Sequence, residues 1–488
     1  MNKELSKLYP SPLWENFARI CSIPHPSKHE AQIIEWLKKW AIDHKVDYVI
    51  DKTGNMIFRK PATRGMENRM PVILQGHIDM VPQANSDKKH DFTKDPIEPI
   101  IGQDGWIRAN GTTLGADNGI GCAAAMAVLT DTQIAHGPIE VLVTIDEETG
   151  MTGAFGLEKG IIKGDILMNL DSEDEGELYV GCAGGLDASL ELDYQLEATP
   201  KQMKGLQIVL TGLRGGHSGM DINLGRGNAN KLMARLLKKV MSQFGVRLAT
   251  LEGGNMRNAI PREAVATAVV PENKYTQLME YVKTFTQTIQ KELSVTEPGL
   301  VVKVLDAPLP EKVIAQKDAV TCVNVIFALP NGAMRMSDSM PDLVETSNNL
   351  AIVKTENGTL KIYCLMRSSV DSAKEALSDK MSAIAELASA RIKLSGGYPG
   401  WKPNIESPIL KTMKKVYADK YGKEPAIKAI HAGLECGLFG ATYPHWDMIS
   451  FGPTIRHPHS PDEKVNIESV GKFWDFLVET LKNIPVKK

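Results

Sequence analysis

The stretch PVILQGHIDM at residues 71–80 decides the fold, because a short apolar run ends abruptly in Gly-His-Ile-Asp. Two later stretches have the same form, IEVLVTIDEE at 139–148 and DILMNLD at 165–171. Each run has the length and the β-branched and aliphatic content of a strand buried on both faces. An apolar segment at 119–129, between the first two runs, is predicted to be a helix. The pattern predicts an α/β fold with a mostly parallel sheet.

Histidine and carboxylate side chains collect where these predicted strands end. They are His77, Asp79, Glu147, Glu148 and Asp171, together with Asp117 just before the helix and His459 after a predicted strand at 448–451. In open α/β sheets ligands bind beyond the carboxyl ends of the strands. We therefore expect these distant positions to converge on one crevice.

The spacing of these residues indicates metal chemistry. His77 and Asp79 are two apart, so in extended chain they point the same way, and Asp79 is either a ligand or the group that orients the His77 ring. The adjacent Glu147 and Glu148 point differently, so one is expected to bind metal and the other to move protons. Taken alone, Asp117 is equally explained as a helix N-cap. Imidazole and carboxylates without cysteine favour Zn²⁺, Mn²⁺ or Co²⁺ over a structural thiolate zinc or calcium site.

The composition of the 488 residues excludes several classes of protein. The chain is 43% hydrophobic and 24% charged, and its net charge of -3 provides no broad basic surface for nucleic acid or membrane. The amino terminus lacks the apolar core of a signal peptide, and no apolar run is long enough to span a bilayer. The six scattered cysteines indicate buried, reduced thiols. We expect a cytoplasmic protein that binds neither nucleic acid nor membrane.

The chain divides into three segments. Ser27 and Glu30 form a predicted capping box before a helix at 33–41. From about residue 186, strands alternate with long amphipathic helices, including one at 373–392, in a segment long enough for two small α+β units. The Gly- and Pro-rich SGGYPG at 395–400 is a boundary signal. The expected domains are 1–185, 186–397 and 398–488, with the first and last forming one catalytic domain.

Six strings carry a resemblance to a known family. They are LQGHIDMVP at 74–82, LGADNGIG at 114–121, TIDEETG at 144–150, NLDSED at 169–174, RGGHSGMDI at 214–222 and PHSPDEKV at 458–465. In this order they resemble the di-zinc peptidase family of aminoacylases, carnosinases and bacterial dipeptidases. A narrower likeness to the bacterial dipeptidases lies in NGAMRMSDSMPDLVETSNNLA at 331–351 and HAGLECGLF at 431–439.

The resemblance implies roles for the clustered residues. His77 and Asp171 would hold one zinc ion, Glu148 and His459 the other, and Asp117 would bridge them. Asp79 would orient His77, and Glu147 would be the general base that deprotonates a metal-bridging water and then protonates the leaving amine. Spacing alone leaves His457 as an alternative to His459, since only the PHSPDE match selects the second histidine.

The resemblance also implies that the middle segment is a lid domain inserted into the catalytic domain. His217 would stabilise the oxyanion, Arg367 would bind the substrate carboxylate, and Asn258 would contact the same substrate. Relatives with a small lid take the oxyanion histidine from a partner subunit. The long insertion predicts instead that His217 acts within its own chain. A homodimer is expected from the resemblance alone.

The activity implied is hydrolysis of unblocked dipeptides, including Xaa-His and β-alanyl-histidine. An N-acyl amino acid deacylase and a non-catalytic metal-dependent binding protein are the alternatives. Glu147 argues against the second, because a binding protein needs no general base. A nucleotide-binding oxidoreductase based on GIGCAA at 119–124 is disfavoured, because no strand directly precedes these glycines.

Overall fold

The computed structural model describes residues 4–487. Residues 1–3, which belong to the stretch predicted to lack a signal peptide, and residue 488 lie outside this description. The chain forms two compact units. The first comprises the described parts of Met1–Gly181, Pro403–Ala429 and Leu434–Lys488, and the second comprises Cys182–Lys402 and Ile430–Gly433.

The first unit is built on an eight-stranded sheet. Its strands in spatial order are Asp47–Ile50, Met56–Lys60, Ile139–Thr144, Val72–His77, Ile166–Asn169, Asp447–Ser450, Glu177–Cys182 and Ala426–Ile430. The four strands from Ile139–Thr144 to Asp447–Ser450 are mutually parallel, whereas antiparallel pairs flank them. All three predicted apolar runs are central strands of this sheet, and every residue of Val72–His77 and Ile139–Thr144 is buried.

Helices of the first unit cover the sheet. They are Ser11–Cys21, Ala31–His44, Ala116–Thr130, Glu147–Gly150, Thr152–Gly156, Pro408–Tyr421, Glu435–Thr442 and Ile467–Asn483, with a 3₁₀ turn at Leu5–Lys7. A four-stranded sheet of Ile455–Arg456, Lys464–Asn466, Trp106–Ala109 and Pro99–Ile101 lies beside them. In Ala116–Thr130 a Cβ on Gly121 would lie 2.6 Å from the Leu170 carbonyl oxygen, so this glycine permits close packing of helix and strand.

The second unit is built on an antiparallel sheet. Its strands in order are Val301–Asp306, Met203–Thr211, Ala264–Pro271, Arg247–Gly253, Val344–Glu356, Thr359–Ser368, Gly184–Asp193 and Arg391–Tyr398, and Gly332–Met336 also pairs with Val344–Glu356. The helices Ala229–Phe244, Tyr275–Glu292, Gln316–Ala328 and Asp371–Leu387 pack on it through one apolar core. Shorter elements are the 3₁₀ turn Glu272–Lys274 and the strand pairs Leu196–Ala198 with Lys312–Ile314 and Gly216–His217 with Ala259–Ile260.

The structure corrects two expectations for the middle segment. Its long strands join one nine-stranded sheet rather than forming two small α+β units. The helix predicted at 373–392 ends at Leu387, and Arg391–Tyr398 is an edge strand. Ser389 has a φ of 54°, a left-handed conformation that stops the helix. At the two ends of the insertion, Cys182 and Trp401 exchange both backbone hydrogen bonds at 2.9 Å.

Other expectations concern single residues and the membrane. The predicted capping box is wrong, because Ala31–His44 begins without any side-chain cap. All six cysteines are buried. Among residues 4–487 no helix combines the length and the apolar character that crossing a bilayer requires.

Candidate metal centre and active site

Parallel strand order brings the predicted ligands to one edge of the sheet. His77 ends its strand, and Asp171 and Glu147 follow the ends of the two strands that flank it. Because Val72–His77 pairs in parallel with both neighbours, these carboxyl ends are adjacent. The convergence expected from the sequence is therefore present in the first unit.

The converging side chains form two groups that share one residue. In the first group, His77 Nε2 lies 3.1 Å from Asp117 Oδ1 and 3.3 Å from Asp171 Oδ1. In the second, His459 Nε2 lies 2.9 Å from Glu148 Oε2 and 3.4 Å from Asp117 Oδ2. The two oxygens of Asp117 thus face different histidines, which is the arrangement that a bridging carboxylate requires.

A third group joins Glu147 to the centre. Ligand atoms of His77, Glu147 and Glu148 lie within 4.8 Å of one another. His457 belongs to none of the three groups within the described part of the chain, so the geometry favours His459.

The loop before Asp117 is fixed by a residue that sequence reasoning did not single out. The buried carboxylate of Glu463 accepts hydrogen bonds from four successive backbone amides, those of Leu114, Gly115, Ala116 and Asp117, at 2.7 to 3.3 Å. The string PHSPDEKV at 458–465 contains Glu463, but no local pattern links it to a loop about 350 residues earlier. The role of Glu463 is therefore visible only in the folded structure.

The donor set fits divalent cations. Four acidic side chains, those of Asp117, Glu147, Glu148 and Asp171, lie close together in this largely buried region, and across residues 4–487 their ion pairs are formed only with the two histidines. Buried carboxylates need compensating positive charge. The buried atom Glu148 Oε1 has no hydrogen-bond partner among the described residues, as expected of an oxygen oriented toward a cation.

The electrostatics of the centre reflect this crowding of acids. Burial raises the pKa of Asp171 to about 7, and the nearby Asp117 charge adds to the shift while His77 opposes it. Burial raises the pKa of Glu147 well above its usual range. Hydrogen bonds to Asp117 and Glu148 raise the pKa of His459 to about 11. Divalent cations bound here would oppose these shifts, because they favour ionised carboxylates and neutral imidazole.

Asp79 connects the histidine with the Glu147–Glu148 turn. His77 Nδ1 lies 3.0 Å from the Asp79 carbonyl oxygen and 3.4 Å from Asp79 Oδ1, so its Nε2 faces the carboxylates. The Asp79 carboxylate also accepts the backbone N–H of Glu147 at 3.0 Å and that of Glu148 at 3.2 Å. This residue therefore fixes the histidine and the two glutamates together.

A second missed residue, Glu435, lies in a buried polar layer behind the ligands. Its Oε2 accepts hydrogen bonds from Gln75 at 2.6 Å and Thr144 at 2.9 Å. Gln75 in turn accepts from Asn169 at 2.5 Å. Gln75 and Asn169 lie two residues before His77 and Asp171, two of the candidate ligands.

The second unit brings together the three predicted substrate residues. His217 Nδ1 accepts the backbone N–H groups of Gly219 at 3.2 Å and Met220 at 3.0 Å, which leaves the proton on Nε2 as an outward donor. Burial, with the charge of Arg367, lowers the pKa of His217 and keeps the ring neutral. The imidazole is thus set up to donate a hydrogen bond.

Arg367 and Asn258 meet at Ser218, the neighbour of His217. The Ser218 N–H donates to the Asn258 carbonyl oxygen at 2.8 Å, and Arg367 Nε donates to Ser218 Oγ at 3.4 Å. Arg367 is 6% exposed and also contacts the Tyr398 hydroxyl at 3.3 Å. No acidic side chain within the described residues forms an ion pair with it, so the guanidinium is suited to an incoming carboxylate.

Comparisons with known proteins cover almost the whole chain. The model of peptidase family M20/M25/M40 matches residues 73–483. The cytosol non-specific dipeptidase of Escherichia coli (strain K12) is 49% identical over 485 residues, which cover 99% of this chain and 100% of that relative. The crystal structure of the aminoacylhistidine dipeptidase from Vibrio alginolyticus has 50% identity and a TM-score of 0.95, covering 100% of this chain and 99% of the other.

A more distant structure shares the fold alone. The aminopeptidase PepT from Bacillus cereus ATCC 10987 has 18% identity and a TM-score of 0.57, with coverage of 98% of this chain and 99% of that one. The α/β fold class and the family predicted from the sequence strings are thereby confirmed, and the chain belongs to peptidase family M20/M25/M40.

Proposed function

We propose that this peptidase is a metal-dependent dipeptidase that hydrolyses unblocked dipeptides, including Xaa-His and β-alanyl-histidine. The observation that carries the proposal is the position of Asp117, whose two oxygens face two separate histidine–carboxylate pairs. The dipeptidases from E. coli and V. alginolyticus, both about half identical to this chain, support the substrate class.

We assign His77 and Asp171 to one divalent cation, Glu148 and His459 to the other, and Asp117 to both. Zn²⁺ is the proposed metal, and Mn²⁺ and Co²⁺ are the alternatives that suit imidazole and carboxylate ligands. When bound, the two cations would polarise the scissile carbonyl and lower the pKa of water.

Glu147 is the proposed general base and acid. Its side chain lies in the group with His77 and Glu148, but the assigned ligand set does not need it. Its carboxylate takes a proton from the attacking water and returns it to the amine that leaves. Asp79 holds its backbone N–H, so the carboxylate is positioned before the substrate binds.

The residues of the second unit recognise the substrate in this proposal. His217 Nε2–H donates to the oxygen that becomes negative when the carbonyl is attacked. Arg367 pairs with the carboxylate of the dipeptide, and Asn258 contacts the same molecule. Recognition of a free carboxylate close to the scissile bond would restrict cleavage to the last peptide bond of a substrate, which in a dipeptide is its one peptide bond.

The remaining proposals concern the organisation of the enzyme. The two units are proposed to be a catalytic domain and an inserted lid domain, in a cytoplasmic enzyme that forms a homodimer. His217 is proposed to act within its own chain. Mixing a His217→Ala chain with a Glu147→Ala chain tests this, because recovery of activity in the mixture would mean that subunits share the site.

The activity test is hydrolysis of a substrate panel before chelation, after chelation and after Zn²⁺ is restored. The panel contains β-alanyl-histidine, glycyl-histidine, a tripeptide and an N-acetyl amino acid. We expect metal-restored cleavage of the dipeptides alone. Cleavage of only the acetyl compound would make the protein a deacylase, and metal binding without any hydrolysis would favour a binding protein.

A further inference from the structure

The Ser27–Glu30 pair has the sequence form of a capping box but makes other contacts. Helix Ala31–His44 starts at Glu30 without a hydrogen bond from either side chain to its first turn. Both residues are nevertheless buried, Ser27 with 8% of its surface exposed and Glu30 with 7%. Buried polar side chains need partners. Those partners lie at the candidate active site.

Ser27 contacts the Asp79 carboxylate, which binds the backbone of the Glu147–Glu148 turn. Its hydroxyl donates to Asp79 Oδ2 at 2.8 Å. The backbone supports this contact, because Ser27 N–H donates to the Met80 carbonyl oxygen at 3.2 Å and Met80 N–H donates to the His25 carbonyl oxygen at 3.3 Å. The same Asp79 carboxylate accepts the N–H groups of Glu147 and Glu148. Ser27 thus orients the acceptor of both amides.

Glu30 holds the residue just before that turn. Its Oε1 accepts the backbone N–H of Asp146 at 3.1 Å and that of Lys28 at 2.9 Å. Asp146 has a φ of 53°, in the left-handed region that residues other than glycine rarely adopt. Such a conformation persists only where its surroundings enforce it. The Glu30 contact is one of the bonds that enforce it, together with those of the Thr149 and Thr152 hydroxyls to the Asp146 carboxylate.

We infer that Ser27 and Glu30 are positioning residues for Glu147 and Glu148, acting through the Asp79 carboxylate and the Asp146 amide. This inference rests on the proposed function for its catalytic consequence. The segment that carries it precedes residue 73, where the match to the family model begins. The amino-terminal segment is therefore part of the catalytic apparatus rather than only a packing element.

Hydrogen exchange tests the inference directly on the metal-loaded protein. The amides of Glu147 and Glu148 should exchange about tenfold faster in Ser27→Ala, because their acceptor is less constrained. Glu30→Ala should have the same effect on the amide of Asp146. The conservative variants Ser27→Thr and Glu30→Gln keep an oxygen in place and should exchange nearly as slowly as wild type.

Steady-state kinetics on a dipeptide provide the second readout. In Ser27→Ala we expect kcat to fall about tenfold with KM changed less than about twofold, because a displaced general base slows chemistry rather than binding. Ser27→Thr should recover most of kcat.

Ser407→Ala is the matched control, because Ser407 is another buried serine, which caps helix Pro408–Tyr421 and donates to Asp447 at the opposite end of the sheet. It should lower the thermal midpoint without changing exchange at 145–152 or kcat. The inference would be overturned if amide exchange at 145–152 were unchanged in both Ser27→Ala and Glu30→Ala. It would also be overturned if Ser407→Ala changed that exchange and kcat as much as Ser27→Ala does. A wild-type protein that cleaves no dipeptide would refute the proposed function, and the exchange data would still decide the positioning role.

Discussion

The two units assemble their site residues in different ways. In the first unit, His77, Asp171 and the Glu147–Glu148 pair follow three adjacent parallel strands, so the sheet itself determines their convergence. In the second unit, the sheet is antiparallel, and Asn258 and Arg367 hydrogen-bond to Ser218, the residue that follows His217. Parallel topology makes a site predictable from strand ends, whereas the second arrangement depends on loop geometry.

The largest effect should come from the first unit. Glu147→Ala should lower kcat by about 10³-fold, the range typical of a lost general acid–base group. KM and the binding of two metal ions per chain should change little, because the variant keeps all five proposed ligands. Steady-state kinetics measure kcat and KM, and metal analysis of the dialysed protein measures the number of bound ions. Loss of one metal ion in this variant would instead make Glu147 a ligand.

The second unit should affect substrate binding more than catalysis. Arg367→Lys keeps the charge but loses the bidentate geometry, so we expect KM for a dipeptide to rise about tenfold with a smaller change in kcat. Arg367→Ala should raise KM further. A dipeptide amide, which lacks the carboxylate, is the matched substrate control, and its KM should be the same in wild type and both variants. An equal loss for the amide would remove the assigned role.

The last effect concerns stability rather than kinetics, and it arises behind the candidate metal centre. Burial raises the pKa of Glu435 from the ordinary 4.5 to about 8, so the folded protein without metal retains a proton that the unfolded chain releases. Between these two pH values the folded state binds more protons, and stability must fall as pH rises, by about 1 kcal/mol per pH unit from this group. Below the lower value both states are protonated and the contribution is constant.

Glu435→Gln isolates this contribution. In chelator, its thermal midpoint should match that of wild type near pH 5 and exceed it at pH 7.5, since the amide carries no proton to release. Restored metal should reduce the difference, because nearby cations favour the ionised carboxylate. A difference that does not vary with pH would show that Glu435 is already charged in the metal-free protein.

Much of the first unit could be predicted, because its strands and the polar residues that follow them are recognisable in short stretches of sequence. A buried apolar run identifies a strand, and a polar side chain directly after it is expected at the edge of the sheet where the carboxyl ends of the strands lie. His77, Glu147 and Asp171 illustrate this. The role of Asp117 as a shared carboxylate came from family resemblance, and the structure supplies the orientation of its two oxygens.

The residues that were missed depend on contacts distant in sequence. Glu435 reaches Gln75 across 360 residues, and Glu463 reaches Leu114 across 349. Local patterns also misled, since Ser27 and Glu30 have capping-box spacing but bond elsewhere. Helical periodicity likewise ran past Leu387 into an edge strand, because Ile392 and Leu394 satisfy either pattern over a short window.

The two backbone hydrogen bonds between Cys182 and Trp401 hold the ends of the inserted segment 182–402 next to each other. A graft could therefore replace the long segment by a short turn joining residues 181 and 403 without stretching the first unit. A second segment complicates this replacement, because Ile430–Gly433 also belongs to the second unit. In that segment the buried His431 forms a hydrogen bond with Ser347 Oγ at 2.7 Å. An excised version would leave this imidazole without its serine, so minimal versions of the enzyme should redesign 430–433 together with the splice.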